Sequence, residues 1–338
     1  MLSDQRSTFA MTTHPLIAKG ELAERNGDYL AATAAYSAAA LDSDPSVAGD
    51  ASFHLGRVSW RQGRYDDALS RYDKARSLGE QASDVDLCAR AENGIGAIHY
   101  ARGEYAQARA SYHLAYERSG DEVLRGKVLL NLGVIANIEG RYHDAREHYK
   151  QSRHLLSHAR DDGTLALVLH NLGMLHADLE EWDEAGESYR RCLEISEANG
   201  DRQMVANVLL NRSELLCGTG RYAEAIVHCE RAMMIYAELG DILGRGEALR
   251  WQGSAYRRSG DGVRATRVLS ESARIARQLK AELLRAEVSR EVGLLRAEGA
   301  DIAHARKSLS EALECFSRLG AVREVEAVKR ELESLRER

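Results

Sequence analysis

The chain has 338 residues, with 46 Lys and Arg against 52 Asp and Glu, a formal charge of −6 and an isoelectric point near 6.1. That balance disfavours nonspecific nucleic-acid binding, which needs a basic surface to meet the phosphates. No run of eighteen apolar residues occurs, which excludes a transmembrane helix, and only 2 prolines interrupt a composition rich in helix formers.

Met1–His14 is polar, lacks an apolar stretch of signal-peptide length, and reads as a disordered leader, residues 1–14. Beyond it one unit recurs. NLGVIANIEGRYHDA at Asn131–Ala145 returns as NLGMLHADLEEWDEA at Asn171–Ala185 and as NRSELLCGTGRYAEA at Asn211–Ala225. Self-similarity at a fixed period of roughly 20–50 residues marks a repeat architecture. The anchor is Gly, Tyr two places on and Ala three further: Gly27-Tyr29-Ala32, Gly63-Tyr65-Ala68, Gly103-Tyr105-Ala108 and Gly140-Tyr142-Ala145. Glu180-Trp182-Ala185 departs from it, and Gly220-Tyr222-Ala225 restores it. Two degenerate copies follow, Gly260-Gly262-Ala265 and Ala300-Ile302-Ala305.

An apolar or aromatic residue stands four places after each Ala: Tyr36, Tyr72, Tyr112, Tyr149, Tyr189, Cys229, Leu269 and Leu309. Successive anchors lie 36, 40 and 37 residues apart and then 40 throughout, which predicts eight helical hairpins over 15–320. The expected roles follow from residue type. Gly ends the first helix in a left-handed conformation, the aromatic two places on wedges between the helices, and the small Ala lets them approach. Between hairpins, Gly120-Asp121, Gly200-Asp201 and Gly240-Asp241 pair a C-cap glycine with an aspartate that caps the next helix. The closing segment 321–338 carries Val322, Val325, Val328, Leu332 and Leu335 on one face. It reads as a capping helix, with a short dimerising coiled coil as the alternative, so a monomer or weak homodimer is expected.

Leu55-Gly56, Ile95-Gly96, Leu132-Gly133 and Leu172-Gly173 precede the turns, and Ala39, Ala75, Ala115, Ala232 and Ala312 close the pattern L-G…G-x-Y-x-x-A-x-x-x-Y-x-x-A. From Pro15 onward this resembles the tetratricopeptide repeat (TPR). The period of about forty exceeds that family's usual thirty-four, and its proline near the end of the second helix is absent. Long repeats with Asn-Leu-Gly resemble Pins-type adaptors, kinesin light chains and Rap-type peptide-responsive regulators. The resemblance implies an all-α, right-handed α-solenoid acting without catalysis as a scaffold that holds an extended protein or peptide segment in its concave groove. A peptide sensor that changes curvature on binding is the alternative within the same class.

No P-loop, dinucleotide fingerprint or nucleophile elbow is present, and no cofactor is expected. A metal-binding protein or metal-dependent enzyme is the alternative from another class, at His143, His148, His154, His158, His170 and His176. His154 and His158 are spaced i,i+4, which suits Zn²⁺, but no third ligand is fixed by spacing. His143 and His148 are five apart, roughly 140° around a helix, and cannot pair. The five cysteines form no C-x-x-C motif and read as buried reduced thiols of a cytoplasmic protein.

Counting back from each turn places Asn131, Asn171 and Asn211 at one register of successive first helices, turned away from the core, with Asn93 one place off. An asparagine offers donor and acceptor together, so a row of them suits a peptide backbone; hydrogen bonding between neighbouring helices is the alternative. The same face takes Arg57, Trp60, Arg61, Arg90 and Lys127 at one end and Arg250, Trp251, Arg257, Arg258 and Arg290 at the other. Two basic patches, each with a Trp, suit an acidic or aromatic-bearing peptide. Asp50, Asp178, Glu214, Glu247, Glu287 and Glu291 share the stripe, so pairing within the chain is the alternative for each arginine.

Overall fold

A computed structural model describes residues 14–335. Seventeen helices and no strand occur among the described residues, and none of the helices is long and apolar enough to cross a membrane. The chain divides into two compact units at Asp161/Asp162. The first unit stacks four hairpins: α1 (Pro15–Arg25) with α2 (Tyr29–Ala39), α3 (Pro45–Arg61) with α4 (Tyr65–Ala82), α5 (Val85–Ala101) with α6 (Tyr105–Arg118), and α7 (Glu122–Ile138) with α8 (Tyr142–Ala159). The second stacks α9 (Asp162–Asp178) with α10 (Trp182–Ala198), α11 (Arg202–Gly218) with α12 (Tyr222–Leu239), α13 (Ile242–Arg258) with α14 (Gly262–Leu279), and α15 (Glu282–Glu298) with α16 (Ile302–Leu319). Helix α17 (Val322–Ser334) lies on the last hairpin, where Val328 and Leu335 join Leu309, Cys315 and Phe316 in one buried cluster. The sequence leader lies outside the described residues except His14, whose Nδ1 accepts from the Leu16 amide and caps α1.

Each hairpin turn is left-handed. The six turn glycines have φ between 72° and 86°, and Glu180 and Ala300 adopt 60° and 59° in the two copies without glycine. The stacked geometry therefore imposes the conformation on side-chain-bearing residues, at a cost of about 1–2 kcal/mol each. Between hairpins, Asp121, Asp201 and Asp241 cap α7, α11 and α13 through their carboxylates, and Gly200 and Gly240 are left-handed. Gly120 does not follow: α6 stops at Arg118 and Ser119 is extended, with φ −74° and ψ 130°, at the junction that is three residues shorter.

The aromatic next to the turn is at most a partial wedge, half-buried against the core at Tyr29 and Tyr105. Tyr65, Tyr142 and Trp182 open the second helices and remain 37–39% exposed. The buried ring is the one four places after the Ala. Tyr72, Tyr112, Tyr149 and Tyr189 pack against Gly56, Gly96, Gly133 and Gly173, where an added Cβ would come within 2.4–2.7 Å of the ring. The anchor alanines 32, 68, 108, 145, 185, 225, 265 and 305 are 0% exposed, so both halves of the contact are made of close backbone approach. Repeat six shows that this is volume matching. Its ring position shrinks to Cys229, 0% exposed, and the facing glycine becomes Ser213, also 0% exposed.

A second lock recurs at one register. Ser152, Cys192 and Ser272 donate to the carbonyls of Gly126, Ala166 and Gly246 at 2.6, 3.0 and 2.7 Å. All five cysteines are free and buried, and burial pushes the Cys192 thiol up to about 11 and Cys229 up to about 12. Cys192 and Cys229 are therefore protonated packing groups at neutral pH.

Candidate functional site

Stacking puts the first helices of neighbouring hairpins side by side, α3 on α5 in the first unit and α9, α11, α13 and α15 in series in the second. Each unit consequently has its own groove. In the first, Glu21, Asp50, Phe53, His54, Arg57, Arg90, Asn93 and Lys127 line a space of about 440 Å³. Asn131 donates to Asn93 Oδ1 at 3.4 Å, a long bond that ties α7 to α5 and leaves most of each amide's capacity unused. His54 is 4% exposed and stacks on Tyr36 with ring centroids 4.8 Å apart. Burial lowers its pKa to about 4, with Asp50 pulling the other way, so the ring is neutral at pH 7.

The second groove holds about 290 Å³, lined by Met174 and Asp178 of α9, Trp182 and Tyr189 of α10, Asn211, Glu214 and Gly218 of α11, Trp251 and Arg258 of α13, and Arg323 of α17. With a forty-residue period these are recurring places: Asn211 and Trp251 share one, Met174 and Glu214 a second, and Asp178, Gly218 and Arg258 a third. Arg323 meets Asp178 at 3.0 Å, so α17 reaches the first helix of its own unit. Asn211 bonds His170 Nε2 at 2.9 Å, while His170 Nδ1 is buried without a hydrogen-bond partner among the described residues. Burial lowers the His170 pKa, partly offset by Asn171, which keeps the ring neutral. Asn93 and Asn211 thus both line a groove and bond between helices, whereas Asn131 bonds to Asn93 without lining the space.

Most cations of the two basic patches are paired with acids of the same chain. Arg57 grips Glu24 through two bonds of 3.0 and 2.7 Å, and Arg61 lies 3.3 Å from the same carboxylate. Glu24 is 6% exposed and also accepts from Tyr36 at 3.1 Å. Burial pushes its carboxyl up, but Arg57, Tyr36 and Arg61 together hold it below the usual range. Arg90 pairs with Asp50 at 2.9 Å and Lys127 with Asp161 at 2.9 Å. Arg250 is 3.2 Å from Glu287, Arg257 is 3.0 Å from Glu291 and also meets Glu298, and Arg290 meets Glu331 at 2.5 Å. Arg258 donates to the Cys217 carbonyl at 3.0 Å.

The acid partners of these pairs stand 33 to 41 residues away, one repeat along, because that spacing superposes equivalent faces of neighbouring first helices. The cations are therefore stitches between repeats. Exposed stitches contribute about 0–1 kcal/mol, whereas removing one side of the buried Arg57–Glu24 pair costs about 3–5 kcal/mol. Trp60 is 41% exposed and does not line the first groove; Trp251 lines the second, with Arg250 over its ring at 4.1 Å. Sequence reasoning treated Trp182 only as a turn residue. Its place in the groove was signalled by the departure at the fifth anchor, where an indole replaces Tyr. No group of three His, Cys, Asp or Glu that could hold a metal occurs among the described residues. His154 and His158 have ring centroids 4.5 Å apart but gather no third ligand there.

Comparison with known proteins matches this geometry. The tetratricopeptide repeat family profile fits residues 48–121, 87–158, 124–198 and 164–238. Protein KINESIN LIGHT CHAIN-RELATED 1 of Arabidopsis thaliana is 25% identical over 194 residues, 56% of this chain and 31% of that protein. The chain thus spans about a third of that relative's length. Among solved structures, BtubC (BKLC) from P. vanneervenii is 21% identical over 64% of this chain and 92% of its own, with a TM-score of 0.58. A Rap protein complexed with competence and sporulation factor is 14% identical over 95% of this chain and 96% of its own, with a TM-score of 0.60. The profile spans more than half of the residues, and the paired helices, left-handed turns and tyrosine-on-glycine contacts are the physical content of its pattern: this chain belongs to the tetratricopeptide repeat family.

Proposed function

We propose that the protein is a non-catalytic scaffold that holds an extended segment of a protein or peptide partner along the first helices. The observation that carries this reading is the amide row. Asn93 lines one groove and Asn211 the other, with Asn131 bonded to Asn93 and Asn171 at the register of Asn131 and Asn211, all four half-buried and with donors or acceptors left over. Such groups suit a peptide's C=O and N–H, at about 1 kcal/mol per net bond, so several contacts are needed. The intramolecular stitching of the arginines removes the reason to expect an acidic partner. The buried free thiols accord with a reducing, cytoplasmic setting.

Likeness to the Rap protein solved with its factor supports a ligand-responsive version of the same groove. The test is direct. A fluorescein-labelled, randomised octapeptide library titrated with the protein is expected to show saturable anisotropy, reversed by unlabelled library. Absence of saturable binding at high micromolar protein contradicts the scaffold reading.

A further inference from the structure

The second groove is richer in acid than in base. Asp178, Glu180 and Glu214 line it against Arg258 and Arg323, and immediately behind stand Glu247 and Glu287 against Arg250. Two of the three guanidiniums are paired with acids, and Arg258 keeps its charge. Arg323 faces Asp178, Arg250 faces Glu287, and Arg258 donates to a backbone carbonyl. Glu214 makes no ion pair or hydrogen bond among the described residues, although it projects from the middle helix of the groove.

Around that carboxylate the walls are aromatic. Trp182 is 38% exposed, and its ring edge packs 3.8–3.9 Å from where a Cβ on Gly218 would stand. The glycine opens space at the register that holds Asp178 on α9 and Arg258 on α13. Trp251 forms another wall and already carries a guanidinium on its ring, and Met174 adds a surface 42% exposed. At about 290 Å³ the cup is at the lower end of ligand-pocket size and suits one long side chain.

We propose that this cup is the specificity pocket of the groove, receiving a Lys or Arg side chain of the bound segment with its aliphatic stem along Trp182 and Met174 and its cation paired to Glu214. The proposal rests on the peptide-groove reading. Long basic side chains bury their methylene stems along apolar walls while the charged head reaches a counter-ion. A carboxylate without an internal partner supplies the counter-charge. Glu214 is exposed, with the acids Glu287 and Asp178 and the cations Arg250 and Arg323 around it, so an arriving cation adds a partner to a cluster that holds more acid than base. An acidic side chain meets the opposite field.

The test uses the full chain and four fluorescein-labelled octapeptide libraries whose central residue is fixed as Arg, Lys, Leu or Glu. The Arg and Lys libraries are expected to bind about tenfold or more tighter than the Glu library, with a difference that shrinks as salt rises. Glu214→Gln is expected to cut Arg and Lys binding about five- to tenfold while leaving Leu-library binding and the helical dichroism unchanged. Equal binding of all four libraries, preference for Leu or Glu, or an unaltered Arg preference in Glu214→Gln overturns the cation pocket and leaves the groove reading standing. Failure of every library to bind overturns the groove reading, and the pocket with it.

Discussion

Tyr149→Ala is expected to lower the stability of the fourth hairpin by about 3–5 kcal/mol, the range for deleting a large buried aromatic. The ring is 1% exposed and lies on Gly133, so no facing side chain can relax into the hole. The reciprocal change, Gly133→Ala, places a Cβ 2.5 Å from the ring and costs about 1–3 kcal/mol by overpacking. The decisive variant is the double one. Gly133→Ser with Tyr149→Cys copies the Ser213 and Cys229 pairing of repeat six and is expected to recover part of both losses, a coupling of about 1–3 kcal/mol. Because repeat arrays need not unfold in one step, the readout is amide exchange in α7 and α8 rather than one melting midpoint. Strictly additive losses, or a Tyr149→Ala cost under about 1 kcal/mol, contradict the volume-matching account.

The second large effect concerns binding. Asn171→Ala with Asn211→Ala is expected to weaken octapeptide-library binding to the second groove by about 1–3 kcal/mol, or roughly 5- to 150-fold. Asn93→Ala with Asn131→Ala is expected to do the same in the first. Helicity is expected to hold, since alanine is the better helix former and none of the four amides caps a helix. Some stability is lost in the second groove, because His170 Nε2 gives up its 2.9 Å partner. Anisotropy and dichroism on the same samples separate the roles. Unchanged affinity with falling stability assigns the asparagines to packing alone.

Hairpin number, turn positions and the register of the first helices were legible because a repeat states its geometry eight times over. Even Glu180 and Ala300 were legible as turns, since their neighbours fix the phase and the fold imposes φ near 60° on them. The wedge was misplaced for a local reason. The tyrosine beside the turn and the tyrosine seven residues on are both aromatic, and only the glycine facing Tyr72, Tyr112, Tyr149 and Tyr189 distinguishes the buried one. The charges were legible as positions, with pairing to acids of the same stripe as the alternative, but which acid each arginine takes was not. A helix-face count puts Arg57, Arg90 and Arg250 on the groove side, yet their partners Glu24, Asp50 and Glu287 lie one repeat away. Pairing across repeats depends on how far each helix is displaced along its neighbour, which periodicity does not encode. The Trp182–Trp251 cup was hidden for the same reason, being assembled from three hairpins and α17.

The central claim is that the first helices carry the binding surface. It is tested most directly by photo-crosslinking an octapeptide library with a central benzoylphenylalanine and mapping the adducts by mass spectrometry. The account expects adducts on α3, α5 and α7 or on α9, α11 and α13, at groove residues such as Asn93, Lys127, Asn211 and Trp251. Adducts concentrated on the bodies of α4, α6, α12 or α14, or scattered over the surface with no preference for either groove, contradict it.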